Sequence, residues 1–413
     1  MNQLIDGIRL FTGVDEHVIE DGVVWVSGDR IQFAGSLNDC PSLPSDTQRH
    51  SFHGKFVMPG MTETHAHLSF ADANPFAIGE TGVETGTITA VRNARLMLAS
   101  GFTSAVSFGS TYQIDVALRE AINTGQVIGP RLRAAGRDLG ATSSNVDSPG
   151  GLSQIADGPW ALRQAVRSQR KLGVDIVKIF IDGENINPKN PPGELSFTDE
   201  EVHAIVDEAR RRKLRVACHA RSAAAVKQAV RAGVDLVGHA NYLDDEAVAL
   251  LADRRDEVFV GPALAWEICY LTHCESIGVS KQTVIDQGYE REIQATVETV
   301  AKLREAGIRM VVGGDYGISI APHGTYAKDL EYFVEYFDMR PLEALMCATN
   351  YGGLAFDPAG SVGTLTEGSF ADLVIVDGQP DQDIRVLQAH DRLTVMKGGV
   401  IYKGLANPNP YLA

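Results

Sequence analysis

The sequence predicts an α/β fold, a (β/α)8 TIM barrel with a small β-sandwich domain formed from both chain ends. Three observations carry that expectation. Short apolar runs recur through the centre of the chain, with helical periodicity between most of them. Several of these runs end in an ionisable residue, as the active face of such a barrel requires. Both ends of the chain read as short strands separated by turns.

Taken in order, residues 7–56 contain apolar stretches at 22–26 and 31–35 joined by a polar turn at 27–30, and the texture returns at 371–378 and 393–402. Neither half holds enough apolar residues for a stable sheet alone, so 1–56 and 358–413 are expected to meet as one small domain around a barrel at 57–357. With 413 residues the chain exceeds what one core usually supports, and a barrel of roughly 250 residues or more plus a smaller unit is the natural division. Barrel strands are expected near 61–67, 102–107, 131–135, 175–181, 214–219, 234–239, 258–262 and 309–315. Between the fourth and fifth, Thr198 and Glu201 form a capping box, and Val202, Ile205, Val206 and Ala209 give one apolar helix face, which leaves His203 in solvent. Residues 187–193 are proline-rich and read as an irregular loop. Residues 266–288, the longest stretch between strands seven and eight, are expected to cover the pocket. No internal repeat or low-complexity tract interrupts this order.

The formal charge of −16 argues against a nucleic-acid or anionic-membrane partner, both of which need a basic footprint. No segment approaches the ~20 apolar residues of a membrane span. Residues 1–6 lack the basic-then-apolar layout of a signal peptide, so the expected location is the cytoplasm and the expected partner a small-molecule substrate, with the chain acting as a homo-oligomer. Cys40, Cys218, Cys269, Cys274 and Cys347 are odd in number, lack metal-ribbon spacing, and read as reduced thiols. Cys218 has the opposite strand parity to His219 and should pack outward.

The stretch 57–68 carries His65 and His67 one residue apart at the end of an apolar run, so on a strand both imidazoles face one way as metal ligands. Alone, such a pair reads equally well as two histidines bonded to backbone and water. Further along, Lys178, His219, His239 and Asp315 each follow an apolar run. In strands buried on both faces an ionisable residue is costly unless paired or ligating a metal. An ammonium cannot ligate a cation. A lysine buried among Ile176, Val177, Ile179 and Phe180 should have its pKa pushed down from ~10.4, leaving a neutral amine able to take up carbon dioxide. The resulting carbamate can bridge two divalent ions, with His65, His67 and Asp315 on one and His219 and His239 on the other. This donor set suits Zn2+ best, with Mn2+ or Co2+ accepted. The alternative for Lys178 is a salt bridge to a barrel acid such as Asp315.

Together these residues resemble the amidohydrolase superfamily: the His-x-His on strand one, a carboxylated lysine on strand four, histidines on strands five and six, and an aspartate on strand eight. Gly129-Pro130-Arg131, Ala156-Asp157-Gly158-Pro159, Val177-Lys178-Ile179, Ala232-Gly233-Val234-Asp235, Leu243-Asp244-Asp245-Glu246 and Pro322-His323-Gly324 are similar to its metal-dependent amidase and dipeptidase branch, prolidase-type and imidazolonepropionase-like. The resemblance implies the same barrel-plus-sandwich fold. Deaminases of the superfamily carry a glutamate where this chain has Ser222 and Tyr242, and they lack the lysine, so deamination is disfavoured.

The expected chemistry is cleavage of an amide bond in a dipeptide, N-acyl amino acid or aryl amide. A hydroxide bridging two metals attacks a polarised carbonyl, with Lys178 and His239 holding the centre and Asp315 acting as general base and then general acid. Alternatives are hydrolysis of a cyclic amide, carbamate or ester, or a metal-dependent lyase or decarboxylase on the same barrel. For substrate binding, Arg221 shares strand parity with His219 and either binds a carboxylate or pairs with a loop acid. Tyr242 is a candidate donor to the scissile oxygen or a packed rim aromatic, and His323 contacts substrate or fixes its loop. Trp266, Tyr270 and Tyr316 are candidates for an aromatic pocket. Relatives of this branch often carry Thr-Gly-Gly-His-Gly-Asp after strand three. This chain has residues 142–147, Thr-Ser-Ser-Asn-Val-Asp, which puts Asn145 in place of the histidine and points to a substrate other than the usual dipeptides.

Overall fold

The computed structural model describes residues 1–148 and 150–402, so 403–413, the end of the expected second segment of the small domain, lies outside the described residues. Its centre is a succession of parallel strands hydrogen-bonded in chain order. Met61–Ala66 pairs with Phe102–Ser107, which pairs with Arg131–Arg133. The third strand then breaks and resumes as Asp138–Gly140. Across the break the Ala134 carbonyl accepts the Asp175 and Ile176 amides at 2.7 and 3.3 Å, and Leu139 pairs with Ile179. Ile176–Phe180, Arg215–Ser222, Leu236–Tyr242 and Phe259–Gly261 follow side by side.

The eighth expected strand, 309–315, departs from expectation. It forms one isolated bridge, Met310 with Val260, and no regular strand. Backbone bonds still join it to both neighbours: Val311 donates to the Val260 carbonyl at 2.9 Å and Thr64 to the Val312 carbonyl at 3.1 Å, so the circuit of strands returns to its start. The irregularity has a steric cause. Gly313 lies so close to the first strand that a Cβ there would sit 2.8 Å from the His65 Cβ, and Asp315 beyond it holds a left-handed φ of 61°.

Helices follow most of these strands. Asp199–Arg211 shows why: the Thr198 hydroxyl accepts from the Glu201 amide and Glu201 accepts from the Thr198 amide, closing the expected capping box. Val202, Ile205, Val206 and Ala209 are buried in the main core, and exposed His203 bonds only the Asp199 carbonyl through its ring. No helix among the described residues is long and apolar enough to cross a membrane.

The two chain ends share one eight-stranded sheet. Phe56–Pro59 runs antiparallel to Leu373–Val376 and parallel to Asn2–Phe11, so the chain leaves this sheet at Gly60 rather than at residue 57. Ile5, Leu10, Val24, Val57, Leu373 and Met396 form a core there separate from the main one. Arg131, donating at 2.6 and 3.0 Å to buried Asp372, ties the sheet to the third central strand.

Candidate metal centre

Each metal-type side chain is placed by its strand. His65 and His67 come from the end of the first, Lys178 from the middle of the fourth, His219 and His239 from the fifth and sixth, and Asp315 from the turn after the irregular eighth segment. The fifth and sixth strands run three residues beyond the expected ends at 219 and 239, so His219 and His239 lie within them, and Lys178 lies within the fourth, Ile176–Phe180.

His239 reaches the site by an irregularity. In the parallel register His219 faces Gly238, while His239 faces Ala220, and regular alternation would turn it away from His219. Left-handed φ values of 79° at His239 and 54° at Ala240 break the alternation and bring the two imidazoles to 4.3 Å between ring centres. Gly238, the residue that does face inward, leaves room: a Cβ there would lie 2.7 Å from Phe108 and 3.2 Å from His65. Non-glycine residues in the left-handed region are costly and concentrate at functional sites.

The geometry brings all six residues together. Asp315 Oδ1 lies 3.1 Å from His67 Nε2 and 3.6 Å from His65 Nε2. His65, His239 and Asp315 can offer ligand atoms within 4.8 Å of one another, and so can Glu184, His219 and His239. Among the described residues, buried ring nitrogens on His65 (Nδ1), His219 (Nε2) and His239 (both) have no hydrogen-bond partner, which is rare for buried polar atoms. His67 differs: its Nδ1 is fixed by the Gly109 carbonyl at 3.0 Å, which turns Nε2 toward Asp315. Burial holds the His65, His219 and His239 imidazoles well below their ordinary pKa, in the neutral form that ligates. Burial works to raise Asp315, but the neighbouring His65 and His67 outweigh it and keep the carboxyl well below its usual range. These donors fit divalent metal.

Lys178 is 2 % exposed, with its Nζ 4.8 Å from the Phe108 ring centre and 5.1 Å from that of Phe180. Among the described residues no carboxylate stands within ion-pair distance of it. The salt bridge to Asp315 is not formed; that carboxylate is turned to the two histidines.

The centre opens into a cavity of about 430 Å³ lined by His65, His67, Lys178, His219 and Asp315. Of the four expected substrate residues, Asn145 lines it, its Oδ1 accepting from Asn187 at 2.9 Å. The other three are corrections. Arg221 has no exposed surface and does not line the cavity; it donates to Glu292 at 2.5 Å, Glu184 at 3.2 Å and Asn241 at 3.2 Å, with Glu267 at 3.5 Å, so it is a buried ion-pair residue and not a contact for a substrate carboxylate. Tyr242 lies off the cavity, its hydroxyl accepting from Asn185 at 2.9 Å. Both ring nitrogens of His323 are occupied, Nδ1 with the Tyr326 hydroxyl at 2.6 Å and Nε2 with the Phe70 carbonyl at 3.0 Å, so it fixes its loop. Trp266 lines the cavity and Tyr270 and Tyr316 do not. The 266–288 segment contributes that one residue, and the cavity is lined instead by residues of the 3-10 turn Pro75–Glu80 and by Asn145, Val146, Ser148 and Leu152.

Two carboxylates lining the cavity escaped the sequence reading. Asp138 stands where the broken third strand resumes, an acid on a strand like the others, which the expected strand 131–135 hid by ending too early. Burial raises its carboxyl, with Lys178 acting the other way. Glu184 lies in the loop after the fourth strand, where no periodicity marks it. Burial likewise raises it, and Arg221 opposes.

Comparison with known proteins agrees with this site. The profile of a family described as the amidohydrolase family matches residues 56–402. An ochratoxinase of Aspergillus niger is 28% identical over 94% of this chain and 84% of its own length. An imidazolonepropionase of Cereibacter sphaeroides is 25% identical over 91% of this chain and 93% of its own. A crystal structure of a Xaa-Pro dipeptidase with methionine bound in the active site superposes with a TM-score of 0.86 at 27% identity, covering 98% of this chain and all of that one.

Proposed function

This chain belongs to the amidohydrolase family and is a hydrolase acting on carbon–nitrogen bonds, and on that premise we propose that it is a binuclear metal-dependent enzyme that cleaves an amide bond of a small molecule. The ring of strands is then the (β/α)8 barrel, carried by a small sandwich-like domain from residues 1–56 and 358–413. The observation that carries the proposal is Lys178, buried near four imidazoles with no carboxylate within ion-pair distance among the described residues. An unpaired ammonium in that place would be expensive, whereas a carbamate on Nζ turns it into an anionic ligand facing the histidines. The relatives act on related bonds by name, an ochratoxinase and a Xaa-Pro dipeptidase among them.

His65, His67 and Asp315 would hold one ion, His219 and His239 the other, and carboxylated Lys178 both; Zn2+ suits the set, with Mn2+ or Co2+ accepted. When bound, such ions supply Lewis acidity for the scissile carbonyl and lower the pKa of water from 15.7 toward about 7. The chain's own residues do the rest. His67, fixed through Nδ1 by Gly109, orients the Asp315 carboxylate beside the attack position. The Asp315 oxygen, kept ionised by its histidine neighbours, takes the proton of the attacking water and delivers it to the departing nitrogen, which cannot leave as an amide anion. Phe70, Phe180, Ile186 and Trp266 line the cavity with apolar surface that excludes water from the reacting bond.

Five free cysteines support a reducing compartment and the cytoplasm.

The test is metal analysis followed by a screen of dipeptides, N-acyl amino acids, aryl amides and lactams for amine release. Two ions per chain and amine release are expected. A single retained ion, or turnover of a carbon–carbon bond without amine, would overturn the reading.

A further inference from the structure

Two carboxylates in the cavity are left over after the metal ligands are assigned, and of these Glu184 is paired with Arg221 while Asp138 has no ion-pair partner among the described residues. Asp138 is 4 % exposed, lines the cavity, and its Oδ1 has no hydrogen-bond partner among the described residues. It is held firmly: Asp138–Gly140 pairs with Ser153–Ile155 on one side and with Ile179 on the other. Room for it is built into the backbone. Gly109 has a φ of 126°, and a Cβ there would sit 2.1 Å from Asp138 Oδ1. The same Gly109 carbonyl fixes His67, so one backbone element sets both the metal ligand and the free carboxylate.

A buried carboxylate oxygen without a donor is unfavourable unless a ligand brings one. The cavity's other charges point the same way. Lys178 apart, no lysine or arginine lines it among the described residues, and Arg221 is bound by Glu184 and Glu292. A substrate carboxylate meets no free cation here, and a substrate cation meets Asp138.

Resting on the amide-hydrolase reading, we propose that Asp138 determines specificity by accepting hydrogen bonds from a protonated amine of the substrate, and that the preferred substrates are aminoacyl amides with a free amine and no carboxylate. The hydroxamate of phenylalanine and that of 3-phenylpropanoic acid differ only in this amine. Their binding to the metal-loaded enzyme is measured by calorimetry, with metal content, for the wild type and Asp138→Asn. The wild type should bind the amine-bearing ligand about tenfold or more tighter, the worth of a charged hydrogen bond. Asp138→Asn should lose that difference while keeping its metal and its affinity for the phenylpropanoic ligand, and Asp138→Ser replaces it if the asparagine variant does not fold. Equal affinities in the wild type, a preference that survives in the variant, metal loss in the variant, or binding of neither ligand would each overturn the assignment. Aniline release from phenylalanine anilide is read separately: no release alongside an Asp138-dependent amine preference would sink the amide-hydrolase reading, and with it the substrate class, and leave Asp138 standing as the amine acceptor.

Discussion

Arg221 donates to Glu292 at 2.5 Å in an ion pair of which neither side chain has any exposed surface. The pair belongs to a closed cluster with Glu184, Glu267 and Asn241. Burial, with Glu292 beside it, drives the Glu267 carboxyl well above its ordinary value, and Arg221 at 3.5 Å opposes the shift.

Removing the cation from such a cluster strands buried carboxylates. Arg221→Met should therefore lower stability by about 3–5 kcal/mol, the range for breaking a buried pair. Chemical unfolding checks this. A variant as stable as the wild type but with KM raised for carboxylate-bearing substrates alone would restore Arg221 as a substrate contact.

Lys178→Ala should lose metal and turnover together, because the bridging anion disappears. In the wild type, reconstitution with metal should need bicarbonate, and labelled bicarbonate should give one carbamate carbon signal per chain. Full metal loading of carbonate-free protein would count against the carbamate.

Asp315→Asn keeps the shape and loses the ionised oxygen. Turnover should fall by about 10²–10⁴, the contribution typical of a general acid–base group. A residual rate within a few-fold of the wild type would assign proton transfer elsewhere.

Gly238→Ala puts a methyl 2.7 Å from Phe108 and 3.2 Å from His65. Displacing His65 should weaken metal affinity by about 10- to 100-fold, with a stability loss of about 1–3 kcal/mol. Competition with a metal indicator measures the first, and unchanged affinity would mean the ring had room to give.

Burial pushes the Asp329 carboxyl up to about 7; Oδ2 accepts from the Gly313 amide and Oδ1 has no partner. Between about 3.9 and 7 the folded chain holds a proton here that the unfolded chain has released, so stability falls as pH rises through that window and levels off above it. Asp329→Asn keeps an acceptor for Gly313 and cannot ionise. Relative to the wild type it should gain roughly 1–4 kcal/mol between pH 5 and pH 8, by the 1.36 kcal/mol each pKa unit represents. Equal differences at the two pH values, measured with a chelator present, would show that Asp329 is not ionising in the fold.

Much of the molecule was legible in order of residues. Strand and helix alternation, the Thr198–Glu201 capping box, the outward Cys218 and the six metal-type residues all follow from periodicity or from a polar residue on an apolar strand, both local signals. The eighth strand was over-read because Met310 to Val312 has the composition of a strand, while its irregular path is imposed by the approach of Gly313 to His65.

By itself the sequence determined which residues are costly to bury on these strands, and so the candidate donor set, because that cost belongs to each residue and its immediate neighbours. Tertiary structure alone decided the rest. Arg221 has the parity of a substrate ligand, yet it is spent on Glu292, 71 positions along the chain. His239 faces the site through left-handed φ values that strand parity cannot foresee, and Asp138 Oδ1 has no hydrogen-bond partner among the described residues. Partners brought together by closing the ring leave no mark on local periodicity.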